Sequence, residues 1–118
     1  MSGDHGAMAG IPESTKISLT QRLNIRARER WPRISRVHTR FRGPFAYVTA
    51  QRADGDELPL MRLRYGGTAR AWGFAIYRAS HNDYEDSWLP DGQTSGTPEL
   101  ALDTAAGLYI TDPEPPTN

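Results

Sequence analysis

The sequence predicts an α+β fold: an antiparallel meander of about four strands, with an N-terminal and a C-terminal helix packed on one face. Three observations carry that expectation. Leu58 to Ala79 reads as two strand-like runs separated by a Gly66-Gly67 turn, one with Met61, Leu63 and Tyr65 alternating against Leu60, Arg62 and Arg64, the other with Trp72, Phe74 and Ile76 alternating against Gly73, Ala75 and Tyr77. Period-2 runs of the same kind precede it from Arg33 onward. Stretches with helical spacing and start signals flank the whole on both sides.

In chain order, residues 1 to 16 are rich in Gly, Ser and Pro without periodicity and are expected to be a disordered tail. A single domain is expected over residues 17 to 111. Ser18 and Gln21 fit a capping box, so the first helix is expected to run from Ser18 to about Trp31, with Leu19, Leu23, Ala27 and Trp31 as its packing stripe and Pro32 as its stop. Arg22, Arg26 and Arg30 lie beside that stripe. In the next run, Ile34, Arg36, His38 and Arg40 alternate with Ser35, Val37, Thr39 and Phe41, until Gly43-Pro44 breaks it. Phe45 to Arg52 follows, closed by the turn signal Asp54-Gly55. After the central hairpin comes a polar connection, with a short strand within 84 to 89. Thr97-Pro98-Glu99 then opens a helix over 98 to 110, with an apolar side of Leu100, Ala101, Thr104, Ala105 and Leu108. The tail over 112 to 118 is proline-rich and expected to be disordered.

Composition narrows the chemistry. The absence of cysteine excludes disulfides, thiolate metal sites and cysteine nucleophiles. No run is apolar enough for a membrane span and the start has no signal-peptide pattern, so a cytoplasmic protein without membrane contact is expected. The net charge of zero hides a division. From Lys16 to Arg42 there are nine basic residues against Glu29 alone, whereas after Arg78 there are eight acids and no Lys or Arg. Such halves can present a basic face to a polyanion, or attract each other within the fold or across a dimer. Thirteen arginines against one lysine also fit a GC-rich genome, in which arginine serves as the ordinary surface cation.

Helix, strands, helix is also the order of a double-stranded RNA-binding domain, but there the last helix begins with basic residues, and here it begins Thr97-Pro98-Glu99. The phrases FRGPFAYV, LPLMRLRYGG, WGFAIYRAS, YEDS and GTPELALDTAAGLY, spanning roughly residues 37 to 110, together resemble a group of small uncharacterised proteins from high-GC Gram-positive bacteria, some near mobile elements. That resemblance implies a bacterial, cytoplasmic protein and no particular chemistry.

Catalytic and metal signatures are weak. His81 to Asp86 gathers an imidazole and three carboxylates, but lacks the spacing of a calcium loop or a second histidine, and is read as a solvated connection without a metal. No serine sits in a nucleophile-elbow context. Ser80-His81, taken as strand neighbours, would point to opposite faces. Neither Gly66-Gly67 nor the stretch from Gly92 to Gly96 makes a phosphate loop, and no catalytic residue and no cofactor is assigned.

The basic residues are more coherent. Arg22, Arg26 and Arg30 share a helix face, Arg36 and Arg40 share a strand face with His38, and Arg62 and Arg64 share another, with Tyr47 or Tyr77 near enough to stack on bases. The leading expectation is a small non-enzymatic binding domain that contacts nucleic-acid phosphates through the basic N-terminal helix and strand. The alternatives are a protein-interaction or self-association module, including a homodimer, that uses the basic and acidic halves, and an enzyme with an unrecognised site.

Overall fold

The computed structural model describes residues 10–110. Its elements, in chain order, are α1 (Glu13–Arg30), β1 (Ile34–Arg42), β2 (Phe45–Arg52), β3 (Glu57–Thr68), β4 (Ala71–Arg78), β5 (Asp83–Asp86), β6 (Ser95–Gly96) and α2 (Pro98–Tyr109). The strands form one antiparallel meander in the order β1-β2-β3-β4-β5, with β6 pairing β4 beyond the end of β5. Both helices cover the same face, so the class is α+β as the sequence predicts; β5 overlaps the short strand expected within 84 to 89, and β6 adds one more.

α1 starts earlier than its capping box suggests. Pro12 occupies the N-cap without a side-chain cap, Glu13 supplies a negative charge to the first turn, and Ile11 is buried in front of it, 5% exposed. Ser18 therefore lies inside the helix, and residues 13–16, expected in the tail, form its first turn. Residues 1–9 and 112–118 of the expected tails lie outside the described residues. The predicted stripe is correct: Leu19, Leu23 and Ala27 are buried, and Trp31 at the C-cap packs against the core.

α2 begins as its sequence predicts. Thr97 Oγ1 accepts from the Leu100 N–H at 3.2 Å, and Pro98 occupies the first turn. Its buried side is made of Ala101, Leu102, Ala105 and Ala106, while Leu108 is 63% exposed. The expected apolar line through Leu108 is thus rotated toward Leu102 and Ala106, which are fully buried in the core cluster.

The core lies between the helices and one sheet face, where Val37, Val48, Met61, Leu63, Trp72 and Phe74 meet Leu19, Leu23 and Leu102. Bulges adjust the simple alternation. A shift between Ile34 and Arg36 brings Ile34 to the core with Val37, and one between Val48 and Thr49 buries the neighbours Leu60 and Met61 together.

The central hairpin turns later than its glycines imply. β3 runs through Gly66 and Gly67 to Thr68, and the chain reverses at Ala69-Arg70, where Thr68 Oγ1 accepts the Arg70 N–H at 3.2 Å. The glycines are a bulge. Gly67 has φ of +101°, and a Cβ on Gly66 would stand 2.5 Å from the carbonyl oxygen of Ala71. Gly66→Ala is expected to cost about 1–3 kcal/mol in urea unfolding, since backbone rather than a flexible side chain has to give way. A midpoint equal to that of the parent would contradict this bulge.

Candidate nucleic-acid interface

The sheet face opposite the helices carries two of the sequence-predicted arginine groups. Pairing aligns Arg40, Tyr47, Arg62, Ala75 and Asp86 in one row across five strands, with Arg42, Phe45, Arg64 and Gly73 in the adjacent row. His38 and Arg36 continue the β1 column, where His38 Nε2 lies 3.0 Å from Gln51 Oε1. Arg36, Arg40, Arg42 and Arg64 are exposed, and among the described residues no carboxylate forms an ion pair with them.

A chain of aromatic rings crosses this face. Phe45 and Tyr47 lie 6.3 Å apart, Tyr47 and Tyr84 5.4 Å, and Tyr84 and Tyr77 5.3 Å between centroids. β2 and β5 are three strand spacings apart, about 14 Å in a flat sheet. The contact between Tyr47 and Tyr84 therefore means that the two rings lean toward each other across the intervening strands. Small residues at the middle of the sheet permit this: Ala75 is buried to 2% exposure beneath the rings although it lies on the open face. Arg62 threads between them, its guanidinium 4.6 Å from the Phe45 centroid and 5.9 Å from that of Tyr84, with Asp86 at 3.6 Å. Burial, then Tyr77 and Tyr47, raise the Tyr84 hydroxyl above its ordinary value of 10.0, against the opposing pull of Arg40 and Arg62. It is therefore a neutral hydrogen-bonding group at physiological pH.

Two depressions flank the rings. One of about 320 Å³ is lined by His38, Arg40, Tyr47, Thr49, Glu57 and Tyr84. The other, of about 300 Å³, is lined by Phe45, Arg62, Arg64, Gly73 and Asp86. Each thus combines an exposed arginine with an aromatic wall.

The helix arginines lie elsewhere, against α2. Arg22 donates to both carboxylate oxygens of Glu99, each at 2.8 Å, and to the carbonyl of Ala69 at 2.9 Å. Arg26 holds Asp103, with its shortest contact at 2.6 Å, and Trp31 Nε1 donates to the same carboxylate at 2.9 Å. Arg30 is exposed and adds positive potential at Asp103. Burial pushes Glu99 and Asp103 upward, but the hydrogen bonds and charges of Arg22 and Arg26 outweigh it and hold both below their ordinary values of 4.5 and 3.8. The basic and acidic halves attract each other within the fold at these two pairs, so the helix and sheet arginines do not form one surface.

The acidic run also meets arginine. Arg78 donates to Asp83 at 2.9 Å and stands 3.4 Å from Glu85. No three His, Asp or Glu side chains converge on a metal-sized space among the described residues. Ser80 and His81 depart from expectation: they sit in the β4–β5 turn rather than on a strand, and Ser80 Oγ lies 2.9 Å from His81 Nδ1. Both are exposed, and no carboxylate accepts a hydrogen bond from the imidazole among the described residues.

No helix of the described residues is long and apolar enough to cross a membrane. Comparison of the chain with family models, curated proteins and solved structures finds no match.

Proposed function

We propose that this protein is a non-enzymatic binding domain for single-stranded nucleic acid, and that the open face of the sheet is its contact surface. The observation that carries this reading is the line of aromatic rings bordered, on one sheet face, by exposed arginines that have no ion pair among the described residues. Arg36, Arg40, Arg42 and Arg64 are suited to phosphates, while Phe45, Tyr47, Tyr77 and Tyr84 offer ring edges and faces to unpaired bases. A duplex keeps its bases stacked on one another, so it would gain only the phosphate contacts. Compared with the sequence-based expectation of the first helix and the strands together, this reading keeps the strand arginines and leaves out the helix, because Glu99 and Asp103 already occupy Arg22 and Arg26.

The test is a titration with short single-stranded and duplex RNA and DNA at about 50 and about 150 mM salt. Single strands are expected to bind more tightly than duplexes, and their log affinity to fall with log salt at a slope of about −2 to −3, as for three or four phosphates neutralised. Arg40→Gln combined with Arg64→Gln should weaken binding by about tenfold or more at the lower salt. Absence of binding by every oligonucleotide at low salt would end this reading.

A further inference from the structure

The outer edge of β1 borders the open face: the open-face reading uses its arginine side chains Arg36, Arg40 and Arg42 but not its backbone edge. β1 pairs only with β2, and its other side meets the carboxamide of Asn24 on α1. The Val37 N–H donates to Asn24 Oδ1 at 2.8 Å, and Asn24 Nδ2 donates to the Val37 carbonyl at 2.9 Å, so one side chain supplies the donor and acceptor that a neighbouring strand would supply. In an antiparallel pair the polar groups of alternate residues point the same way. Thr39 and Phe41 therefore also direct N–H and C=O outward, and among the described residues no side chain caps them as Asn24 caps Val37.

Beside this edge runs a groove of about 730 Å³ whose walls include Gln21, Asn24, Ile25, Arg28, Arg36 and Thr39. It continues into a depression at Ile17, Lys16 and Phe41, where Glu13 supplies the one acid and lies 3.9 Å from Lys16. Ile17 and Ile25 are 53% and 46% exposed, two helical turns apart on the side of α1 that flanks the groove. An added strand would alternate its side chains between this apolar flank and the open face, where the column of Arg36, Arg40 and Arg42 would lie directly beside them.

We propose that the β1 edge binds an extended acidic segment of a partner protein by strand addition. Its backbone pairs with Thr39 and Phe41, its apolar side chains rest on Ile17 and Ile25, and its carboxylates lie beside the arginine column. Charge argues against a second copy as the occupant. β1 placed against itself would set Arg36, His38, Arg40 and Arg42 beside the same column, and the acidic strand of this chain, β5, already has Asp83 and Glu85 held by Arg78 and Asp86 held by Arg62.

The probe is a blocked peptide of about eight residues alternating valine and glutamate, with a valine–lysine peptide as control, titrated into the isotope-labelled chain. Saturable shifts are expected at the Thr39 and Phe41 amides and the Ile17 and Ile25 methyls with the glutamate peptide alone. Thr39→Pro removes an outward N–H that the sheet does not use, a change that edge strands tolerate, and should weaken the peptide by about tenfold while leaving oligonucleotide affinity intact. Should that variant fail to fold, Ile17→Ser with Ile25→Ser should give a similar loss. The proposal is overturned by absence of saturation, by equal binding of the lysine peptide, by unchanged affinity in the folded variants, or by a solution mass that rises with protein concentration through contacts at β1.

Discussion

Phe74→Ala is expected to cost about 3–5 kcal/mol in denaturant unfolding, the range for truncating a buried aromatic ring. The side chain is 3% exposed and lies across from Leu63 in the core. Its backbone also joins three segments, since its N–H donates to the Thr94 carbonyl and its carbonyl accepts from Ser87. A loss below about 1 kcal/mol would mean that this face of β4 is not the core face.

The second large effect is expected from replacing Arg22, Arg26 and Arg30 together by glutamine. Glu99 and Asp103 would remain partly buried without their guanidinium partners, so stability should fall by about 2–3 kcal/mol; that is less than for fully buried pairs, because 20% to 29% of each paired side chain meets water. The pH dependence should change with it. Both carboxyl groups titrate below their ordinary values when folded, so their contribution is present above pH 4.5 and is lost as pH falls through 4.5 and 3.8 toward the depressed folded values. In the triple variant this acid-dependent loss should shrink, which urea midpoints across that range would reveal. Oligonucleotide affinity should stay within about twofold of the parent once the weak long-range charge effect is screened by salt.

Much of the fold was legible because local signals and the sheet pattern agree. The stripe Leu19, Leu23, Ala27 marks the buried side of α1, Thr97-Pro98 marks the start of α2, and period-2 runs mark four strands. The start of α1 was hidden because a favourable Ser18 cap competes with Pro12 and Glu13, and burial of Ile11 is a tertiary contact. Gly66-Gly67 reads as a turn in the sequence because glycine serves both turns and bulges, and only the approach of the Ala71 carbonyl distinguishes them.

The candidate site was legible in composition but not in arrangement. Alternation alone puts Arg36 with Arg40 and Arg62 with Arg64, as the pairing register does, since a shared strand face needs no tertiary knowledge. The partners of Arg22 and Arg26 did have a signal: Glu99 and Asp103 repeat the same four-residue spacing on the other helix. Two helices on one sheet face could have matched those spacings. The meeting of Tyr47 with Tyr84 had none, because it depends on how rings from β2 and β5 lean across the two strands between them.

The most direct measurement of the central claim is shift mapping of a short single-stranded oligonucleotide on the isotope-labelled protein, repeated on the Arg22, Arg26 and Arg30 variant. The account predicts saturable changes at Tyr47, Arg62, Tyr77 and Tyr84 and at the arginines of β1 and β3, retained in that variant. Changes confined to α1, and abolished when its arginines are replaced in a chain that stays folded, would contradict it.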